Sequence, residues 1–316
     1  ACGRTRRSPD RPAWPSAIPP FSSRSRSYRE LPLRLFELGT VYRYERSGVL
    51  HGLLRARGFT QDDSHIFCME SQIGEELQGL LDFSLMVLRD FGFETFEAAL
   101  STRPEKSVGR IELWDRATRA LGDALDKAGL AYRVAEGEGA FYGPKIDLHV
   151  RDAIGRRWQV TTLQVDFGQP DNFELEYASA GNTRERPVMI HRALCGSGER
   201  FLGVLLEHYA GALPGWLAPV QATIVPVADR HHDYAFAVAG TLGGAGLRAE
   251  VDVADDTVGE KIRRALTQKH PAVLVVGDRD VAAGTVGLRL RGGDEERGVT
   301  LEEVKRRLDE LCRAPR

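Results

Sequence analysis

Side chains able to do chemistry occur in three clusters, the first of which alternates charged and polar residues. It reads Tyr42-Arg43-Tyr44-Glu45 and resumes, after a short loop, as Arg55-Ala56-Arg57-Gly58-Phe59-Thr60-Gln61-Asp62-Asp63-Ser64-His65. Alternate residues of a strand share one face. The pairs expected to point the same way are Arg43 with Glu45, Arg55 with Arg57, and Gln61 with Asp63. Such a face can bind an anion beside a cation, or it is an ordinary solvated surface.

The other two clusters contain glycines beside a basic residue. Gly137-Glu138-Gly139-Ala140-Phe141-Tyr142-Gly143-Pro144-Lys145 is a loop that a ligand can approach closely, although a lone loop of this kind is more often a plain turn. Gly196-Ser197-Gly198-Glu199-Arg200-Phe201 places Arg200 in the first turn of a helix, where its guanidinium fork suits a phosphate. The glycine spacing is neither that of the Rossmann fingerprint nor that of the P-loop.

Hydrophobic periodicity predicts the elements that hold these clusters. Helices are predicted over 70–91, over 112–127 with Gly129 as its C-terminal cap, and over 199–212. Two alternating runs, 146–150 and 158–166, predict an antiparallel hairpin. Pro214 and Pro219 bracket Trp216, and we place a domain boundary there.

The rest of the chain has a different rhythm. Strands predicted at 221–227, 247–253, 272–276 and 286–290 alternate with helices at 233–243 and 257–269 and one that begins at Thr300. Thr300 and Glu303 fit a capping box. This order predicts a small α/β domain with a mostly parallel sheet.

Composition sets limits on the class of protein. Of 316 residues, 42% are hydrophobic and 28% charged, as in soluble globular proteins. No apolar run approaches the roughly 18 residues of a membrane span, so no membrane partner is expected. A net charge of -2 argues against a wholesale electrostatic grip on nucleic acid but leaves a local basic face open. Cysteines without a CxxC pair indicate a reducing, cytoplasmic protein; they are Cys2, Cys68, Cys195 and Cys312.

Residues 1–23 are rich in Arg, Ser and Pro and show no helical or strand period. The composition predicts a disordered or mis-assigned start, with order beginning near Tyr28. An organellar transit peptide is the alternative, which the prolines disfavour.

The three clusters, in this order, resemble motifs 2 and 3 of the class II aminoacyl-tRNA synthetases. The text around them is similar to threonyl-tRNA synthetases over about 24–312, in the segments YRELPLRLFELG, HGLLRARGFTQDDSHIF, LSTRPEK, GEGAFYGPKIDLHV, WQVTTLQVDF and PVMIHRALCGSGERF. The resemblance implies a catalytic domain over 24–216, an antiparallel six- or seven-stranded class II sheet with flanking helices. An α/β anticodon-binding domain over 217–316 follows. The implied activity joins threonine to ATP and transfers the threonyl group to tRNA(Thr).

The resemblance also implies roles for individual residues. Arg43, Lys145 and Arg200 would be catalytic. ATP would meet Arg43 at the α-phosphate, Glu45 at the adenine amino group, Phe59 on the adenine ring, Arg55 at the outer phosphates and Arg200 at the γ-phosphate, with Mg²⁺ bridging the phosphates. Threonine would meet Gln61, Asp63, Tyr142 and Gln164. In the second domain, the resemblance implies anticodon contacts for Asp255, Asp280 and Arg289, although asparagine and glutamate are common at the first two positions.

The family selects threonine through a Zn²⁺ ion that takes the amino group and the hydroxyl, which valine cannot supply. Two of the ligands implied by the resemblance are present, His65 and His191. The third, a cysteine shortly before Tyr28, is missing, because the matching place reads Pro12-Ala-Trp-Pro-Ser-Ala-Ile-Pro-Pro20. Val160 also replaces a common cysteine, and Gly198 a common methionine.

Motif 1, which builds the homodimer interface of the family, is absent as well. Weak or absent charging by this chain is therefore expected, as for a truncated enzyme. A non-charging tRNA-binding paralogue and an inactive fragment are the alternatives.

Overall fold

The computed structural model describes residues 17–152 and 154–315, and the chain divides into two compact units, Ala1–Leu205 and Leu206–Arg316. The predicted boundary at Trp216 lies after this division. Residues 206–216, between the observed division and the predicted boundary, belong to the second unit. There Arg291 donates to the carbonyl oxygen of Leu213 at 2.8 Å. No described helix is both long enough and apolar enough to cross a membrane.

The first unit contains most of the described elements. They are, in chain order, α1 (Ile18–Ser22), β1 (Arg26–Ser27), β2 (Leu33–Tyr42), β3 (Gly58–Cys68), α2 (Ile73–Asp90), β4 (Glu97–Ser101), α3 (Ile111–Lys127), β5 (Tyr132–Ala135), β6 (Lys145–Arg151), β7 (Arg157–Asp166), α4 (Gly168–Asn172), β8 (Tyr177–Ala178), β9 (Arg184–Glu185), β10 (Val188–Ala193) and α5 (Gly198–His208), which ends beyond the division. The helices over 70–91 and 112–127 and the hairpin β6–β7 are confirmed.

One sheet organises this unit. The described residues form seven strands in the order β2-β3-β10-β7-β6-β4-β5, antiparallel throughout except for the parallel pair β4–β5. The predicted antiparallel six- or seven-stranded sheet is confirmed. A smaller sheet has the order β1-β8-β9.

Helices α2 and α3 flank the sheet because each carries an apolar stripe at helical spacing. Leu77, Leu81 and Leu88 of α2 are fully buried, as are Leu121 and Leu125 of α3. Burying one such side chain contributes about 1.5–3 kcal/mol. Helix α3 ends where Gly129 takes a φ of +66°, which confirms the predicted glycine cap.

Helix α1 begins ten residues before Tyr28. Phe21 is 1% exposed and its ring stacks on Phe67 with centroids 4.5 Å apart. The expectation of disorder is therefore wrong for 17–23, because Ala17, Ile18 and Phe21 are all buried by this short helix. The remaining part of that prediction, 1–16, lies outside the described residues.

The second unit is an α/β fold. Its elements are β11 (Ala222–Pro226), α6 (His232–Gly244), β12 (Ala249–Val251), α7 (Val258–Thr267), β13 (Ala272–Val276), α8 (Asp278–Ala283), β14 (Thr285–Leu290), β15 (Glu295–Thr300) and α9 (Leu301–Cys312). The hydroxyl of Thr300 caps α9 by accepting from the amide of Glu303. The Glu303 carboxylate accepts from Arg306 and Arg307, so the described contacts form only the first half of the predicted capping box.

The strand order is β12-β11-β13-β14-β15, with β11 parallel to both of its neighbours and β14 antiparallel to both of its own. A mostly parallel sheet was the wrong expectation. A parallel crossover takes a dozen or more residues, and the eight between β13 and β14 are too few. Strand β15 was missed because half of its sequence, EERGVT, is charged and it contains a glycine.

Candidate active site

Strand register lines up residues that are far apart in the sequence. His191 of β10 is paired with His65 of β3 on one side and with Gln164 of β7 on the other, and Gln164 is paired with Lys145 of β6. Because paired residues on adjacent strands point to the same face, these four side chains form one row across the sheet.

A second row lies two residues further along each strand. It contains Asp63 on β3, Ala193 on β10, Thr162 on β7 and Asp147 on β6. Residues two apart on a strand share a face, so both rows lie on the same side of the sheet. The alternating pattern on β3 predicted this face correctly for Asp63.

A cavity of about 340 Å³ opens on this face, within the range of small-molecule sites. The predicted residues that line it are Arg43, Glu45, Arg55, Phe59, Gln61, Asp63, Tyr142, Gln164, His191 and Arg200. The two remaining predicted residues of this unit are connected to it. Lys145 donates to Asp147 at 2.6 Å, and the His65 ring contacts His191 edge-on with centroids 5.0 Å apart.

Three guanidinium groups converge in the cavity. Burial lowers the pKa of Arg200, and repulsion from Arg43 and Arg55 lowers it further, with only Glu45 acting in the opposite direction. A half-buried cation disfavoured by two others is stabilised by a bound anion. The geometry therefore suits a polyanion such as a chain of phosphates.

Two contacts hold these cations in the described chain. Arg55 donates to Glu45 from Nε at 3.2 Å, and the same pair meets through Nη2 at 3.1 Å. The Arg43 guanidinium lies over the Phe59 ring, 5.1 Å from its centroid, in a cation–π contact. The Phe59 ring is thus covered by a guanidinium on one side.

The start of α5 is fixed to β3, which sets the position of Arg200. The single N–H of the Thr60 amide is shared between the two carboxylate oxygens of Glu199, at 2.9 and 3.0 Å. Asp62 accepts from the amides of Leu194 and Cys195 at 2.7 and 3.0 Å. The Arg200 Nε atom donates to the carbonyl oxygen of Leu54 at 3.0 Å.

Glycine is required at one point of the loop that precedes β6. A Cβ atom on Gly143 would lie 1.6 Å from the carbonyl oxygen of Val165, far inside van der Waals contact. This close approach brings Tyr142 beside β7, where its hydroxyl donates to Gln164 at 2.8 Å. The glycine-rich loop is thus needed for packing against the strand as well as for access.

The end of the cavity near β10 is enclosed and polar. Asp63 is 6% exposed, and burial raises its pKa to about 6. The His191 ring acts to lower this pKa, while the charges of Glu37 and Asp62 act to raise it. Tyr142 is buried beside it, and burial raises the pKa of its phenol above its usual range. A small polar ligand with a cationic group would find a carboxylate and a hydroxyl here.

The histidine pair supplies two possible metal ligands. Burial lowers the pKa of His65 to about 3, so its ring is the neutral form that binds metals, and its Nε2 has no hydrogen-bond partner in the described residues. His191 Nε2 is 2.8 Å from Asp166, the carboxylate contact that metal-bound histidines often make. A catalytic zinc site has three protein ligands, and no group of three or more His, Cys, Asp or Glu is so arranged within 17–152 and 154–315. The described residues alone do not fit zinc.

Three site residues were missed by the sequence reasoning. Thr162 and Gln159 line the cavity, and Asp147 binds both of them. Thr162 shares the alternation of Gln164 and could have been found from it. Gln159 could not, because the register of β6 and β7 shifts at Val160, between Gln159 and the alternating residues that follow.

The predicted anticodon residues lie in the second unit. Asp255 is exposed after the end of β12, and Asp280 lies in α8, after the end of β13. Its carboxylate accepts from the Gly277 amide at 3.0 Å. Arg289 is exposed on β14 and pairs with Val273, near the start of β13. The structure therefore places Arg289 away from the strand ends that carry the two aspartates.

Comparison with known families accounts for both units. Residues 17–209 match the tRNA synthetase class II core domain (G, H, P, S and T), and residues 221–311 match an anticodon binding domain.

Two curated relatives carry the same name. Threonine--tRNA ligase of Aquifex aeolicus is 55% identical over 277 residues, covering 88% of this chain and 43% of the relative. The protein of the same name from Mycobacterium avium is 56% identical over 280 residues, covering 88% and 41%. The chain thus spans less than half the length of these relatives.

Solved structures agree with the fold. The RNA binding domain of threonyl-tRNA synthetase from Cryptosporidium parvum superposes with a TM-score of 0.89 at 39% identity, covering 96% of this chain and 76% of that one. A putative threonyl-tRNA synthetase from Aeropyrum pernix gives 0.77 at 29% identity, covering 95% and 74%.

Proposed function

Because this chain belongs to the class II aminoacyl-tRNA synthetases, we propose that it acts as a threonine–tRNA ligase, activating threonine with ATP and transferring it to tRNA(Thr). The observation that carries the proposal is the convergence of Arg43, Arg55 and Arg200 on a cavity whose other end is enclosed and polar. A polyphosphate and a small amino acid are the two ligands that such a cavity suits.

The cationic end would bind ATP. Arg55 and Arg200 would take the outer phosphates, and Arg43 the α-phosphate, since guanidinium forks match phosphate oxygens. Adenine would stack on Phe59, and Glu45 would accept from its amino group. Arg43 and Glu45 must then exchange their present contacts with Phe59 and Arg55 for contacts with the nucleotide.

The enclosed end would bind threonine. Asp63 would face the ammonium group, and Gln61, Tyr142 and Gln164 would complete the polar lining. The hydrogen bond from Tyr142 to Gln164 fixes both side chains before the ligand arrives, which lowers the entropy cost of binding.

In the activation step, a carboxylate oxygen of threonine attacks the α-phosphorus of ATP. The bond to the leaving pyrophosphate breaks as the new P–O bond forms, and a threonyl adenylate results. Arg43 and Lys145 would stabilise the charge at the α-phosphate, while Arg200 would hold the leaving group in line. A ribose hydroxyl at the end of the tRNA then attacks the carbonyl carbon, and AMP leaves.

Metal ions enter this proposal in a limited way. Mg²⁺, a hard cation that prefers oxygen ligands, would arrive on the ATP phosphates and neutralise part of their charge. No step is assigned to zinc, because His65 and His191 supply two ligands and a third is not among the described residues.

The remaining assignments concern partners. The second unit would bind the anticodon of tRNA(Thr), with Arg289 as one of the exposed cations that could contact it. A homodimer and a cytoplasmic location follow from the family and stay predictions.

Threonine-dependent exchange between ATP and labelled pyrophosphate tests the proposal. We expect slow exchange with threonine, abolished by Arg200→Ala. The absence of exchange in a folded chain would overturn the proposed activity. Retained binding of tRNA(Thr) would then favour the non-charging paralogue.

A further inference from the structure

Asp147 is a buried carboxylate to which the proposed reaction gives no role. It is 6% exposed and its two oxygens accept three hydrogen bonds from side chains. Lys145 donates to Oδ2 at 2.6 Å, while Gln159 and Thr162 donate to Oδ1 at 2.6 and 2.8 Å. Gln159 and Thr162 are among the described residues that line the cavity, and Asp147 is not.

A β-bulge brings one of these donors to Asp147. Leu148 is paired with Thr161 and His149 with Gln159, which leaves Val160 as an extra residue in β7. An extra residue interrupts the alternation of faces. Gln159 therefore points to the same side as Thr162, and its amide reaches the carboxylate.

The bulge also connects Asp147 to the far side of the cavity. The backbone carbonyl of Gln159 accepts from Nη1 of Arg200 at 3.4 Å. Fixing the Gln159 side chain at one end helps to fix its carbonyl at the other. Through these contacts a single carboxylate restrains Lys145, Thr162 and the bulge that meets Arg200.

We propose that Asp147 is a positioning residue, which holds Lys145 and the cavity-lining Gln159 and Thr162 in the geometry that the adenylate requires without touching the substrate. The proposal rests on the proposed function for its kinetic consequence. Its structural content, the restraint on Lys145, is independent of activity.

Asp147→Asn keeps the size of the side chain but replaces one acceptor oxygen with an NH₂ group. That group would face the hydrogen-bond donors that surround the carboxylate. Small misplacements of catalytic groups cost about 100-fold in rate, so we expect kcat for pyrophosphate exchange to fall by about that factor. Only a small rise in KM for ATP is expected, because Arg43, Arg55 and Arg200 remain. Asp147→Glu keeps the carboxylate and should restore exchange to within about tenfold.

Labelling of lysines with an acetylating reagent, read by mass spectrometry, tests the restraint directly. An ammonium held against a carboxylate reacts slowly, so Asp147→Asn should speed labelling of Lys145 by about tenfold. The exposed Lys106 in the same sample is the control and should not change. If Asp147→Asn does not fold, Asp147→Ser removes the carboxylate without placing an NH₂ group against Gln159 and Thr162, and it should also speed labelling of Lys145.

The outcomes separate the two proposals. No exchange from the unaltered chain would overturn the proposed function, while the labelling would still decide the role of Asp147. Unchanged Lys145 labelling in a folded variant, or exchange with normal kcat, would overturn the positioning role. A lower melting temperature with unchanged labelling would mean that Asp147 only stabilises the hairpin.

Discussion

Glu45 and Arg55 form an ion pair at 3.1 Å across the mouth of the cavity. In the proposed complex the two side chains would bind opposite ends of one nucleotide. The pair holds Arg55 near the place where phosphates would lie and orients the Glu45 carboxylate. Adenine offers an amino donor where guanine offers a carbonyl acceptor. The charge on Glu45 is therefore suited to choosing between the two bases.

Glu45→Gln should reduce the preference for ATP over GTP by about tenfold, because an amide can turn its NH₂ group toward the guanine carbonyl. Calorimetric titration with each nucleotide measures the ratio. Glu97→Gln, on β4, breaks an ion pair with Arg151 of β6; it is the matched control and should leave the ratio unchanged. An unchanged ratio in Glu45→Gln would remove this residue from the adenine site.

Arg200→Lys should weaken ATP binding by about tenfold to a hundredfold while leaving AMP binding unchanged. A lysine keeps the charge but loses the fork that meets the outer phosphates, and a hydrogen bond to a charged group contributes about 1.5–3 kcal/mol. Arg116→Lys, altered at an exposed ion pair with Glu70, serves as the control. Equal losses for ATP and AMP would place Arg200 elsewhere than at the outer phosphates.

Gly143→Ala should destabilise the first unit by more than about 3 kcal/mol, because the new methyl group would overlap the Val165 carbonyl. Thermal unfolding followed by circular dichroism measures the effect. Gly79→Ala, in open space on α2, should instead stabilise by about 0.5–1 kcal/mol, since alanine is the better helix former. A small effect at Gly143 would mean that the loop can move away from β7.

Zinc should be present at well below one ion per chain after dialysis, because the described residues offer two possible ligands, His65 and His191, and a catalytic zinc needs three. Elemental analysis of the purified chain checks this. One tightly bound zinc per chain, lost in His65→Ala, would contradict the prediction. The variant Cys2→Ala would then show whether that cysteine is the third ligand.

Arg289→Ala should weaken tRNA binding by about tenfold, the size of effect that one lost base or phosphate contact produces. Filter binding at several salt concentrations also separates the two kinds of contact, because loss of a phosphate contact lowers the salt slope. Arg297→Ala on the neighbouring strand, where the side chain is 85% exposed and pairs with Glu295, is the control. Equal losses in both variants would indicate general electrostatics only.

Much of the fold was predictable from local pattern. Helix α2 and the hairpin β6–β7 have clear periods, and their core residues followed from them. The direction of β14 relative to β13 could not be predicted in this way, because it depends on the length of the connection after β13 and not on the pattern of the strand. Helix α1 was hidden because its few apolar residues lie in a stretch that resembles a disordered segment.

The candidate site was predictable where residue type and family resemblance agreed, as for Arg43 and Arg200. Gln159 was beyond reach, because a bulge at Val160 decides its direction and no period in the sequence signals the bulge. Asp147 was overlooked because a carboxylate on an alternating strand looks like a solvated residue. Only the three donors around it show otherwise.

The row formed by His65, His191, Gln164 and Lys145 restricts how this site can change during evolution. Each member sits on a different strand, so a substitution alters one wall of the cavity and leaves the others in place. A one-residue insertion or deletion in β10 would turn His191 and Ala193 to the opposite face together. Related proteins can therefore acquire new specificity through exchanges of single side chains, whereas changes in the length of these strands should be tolerated only beyond the ends of the row.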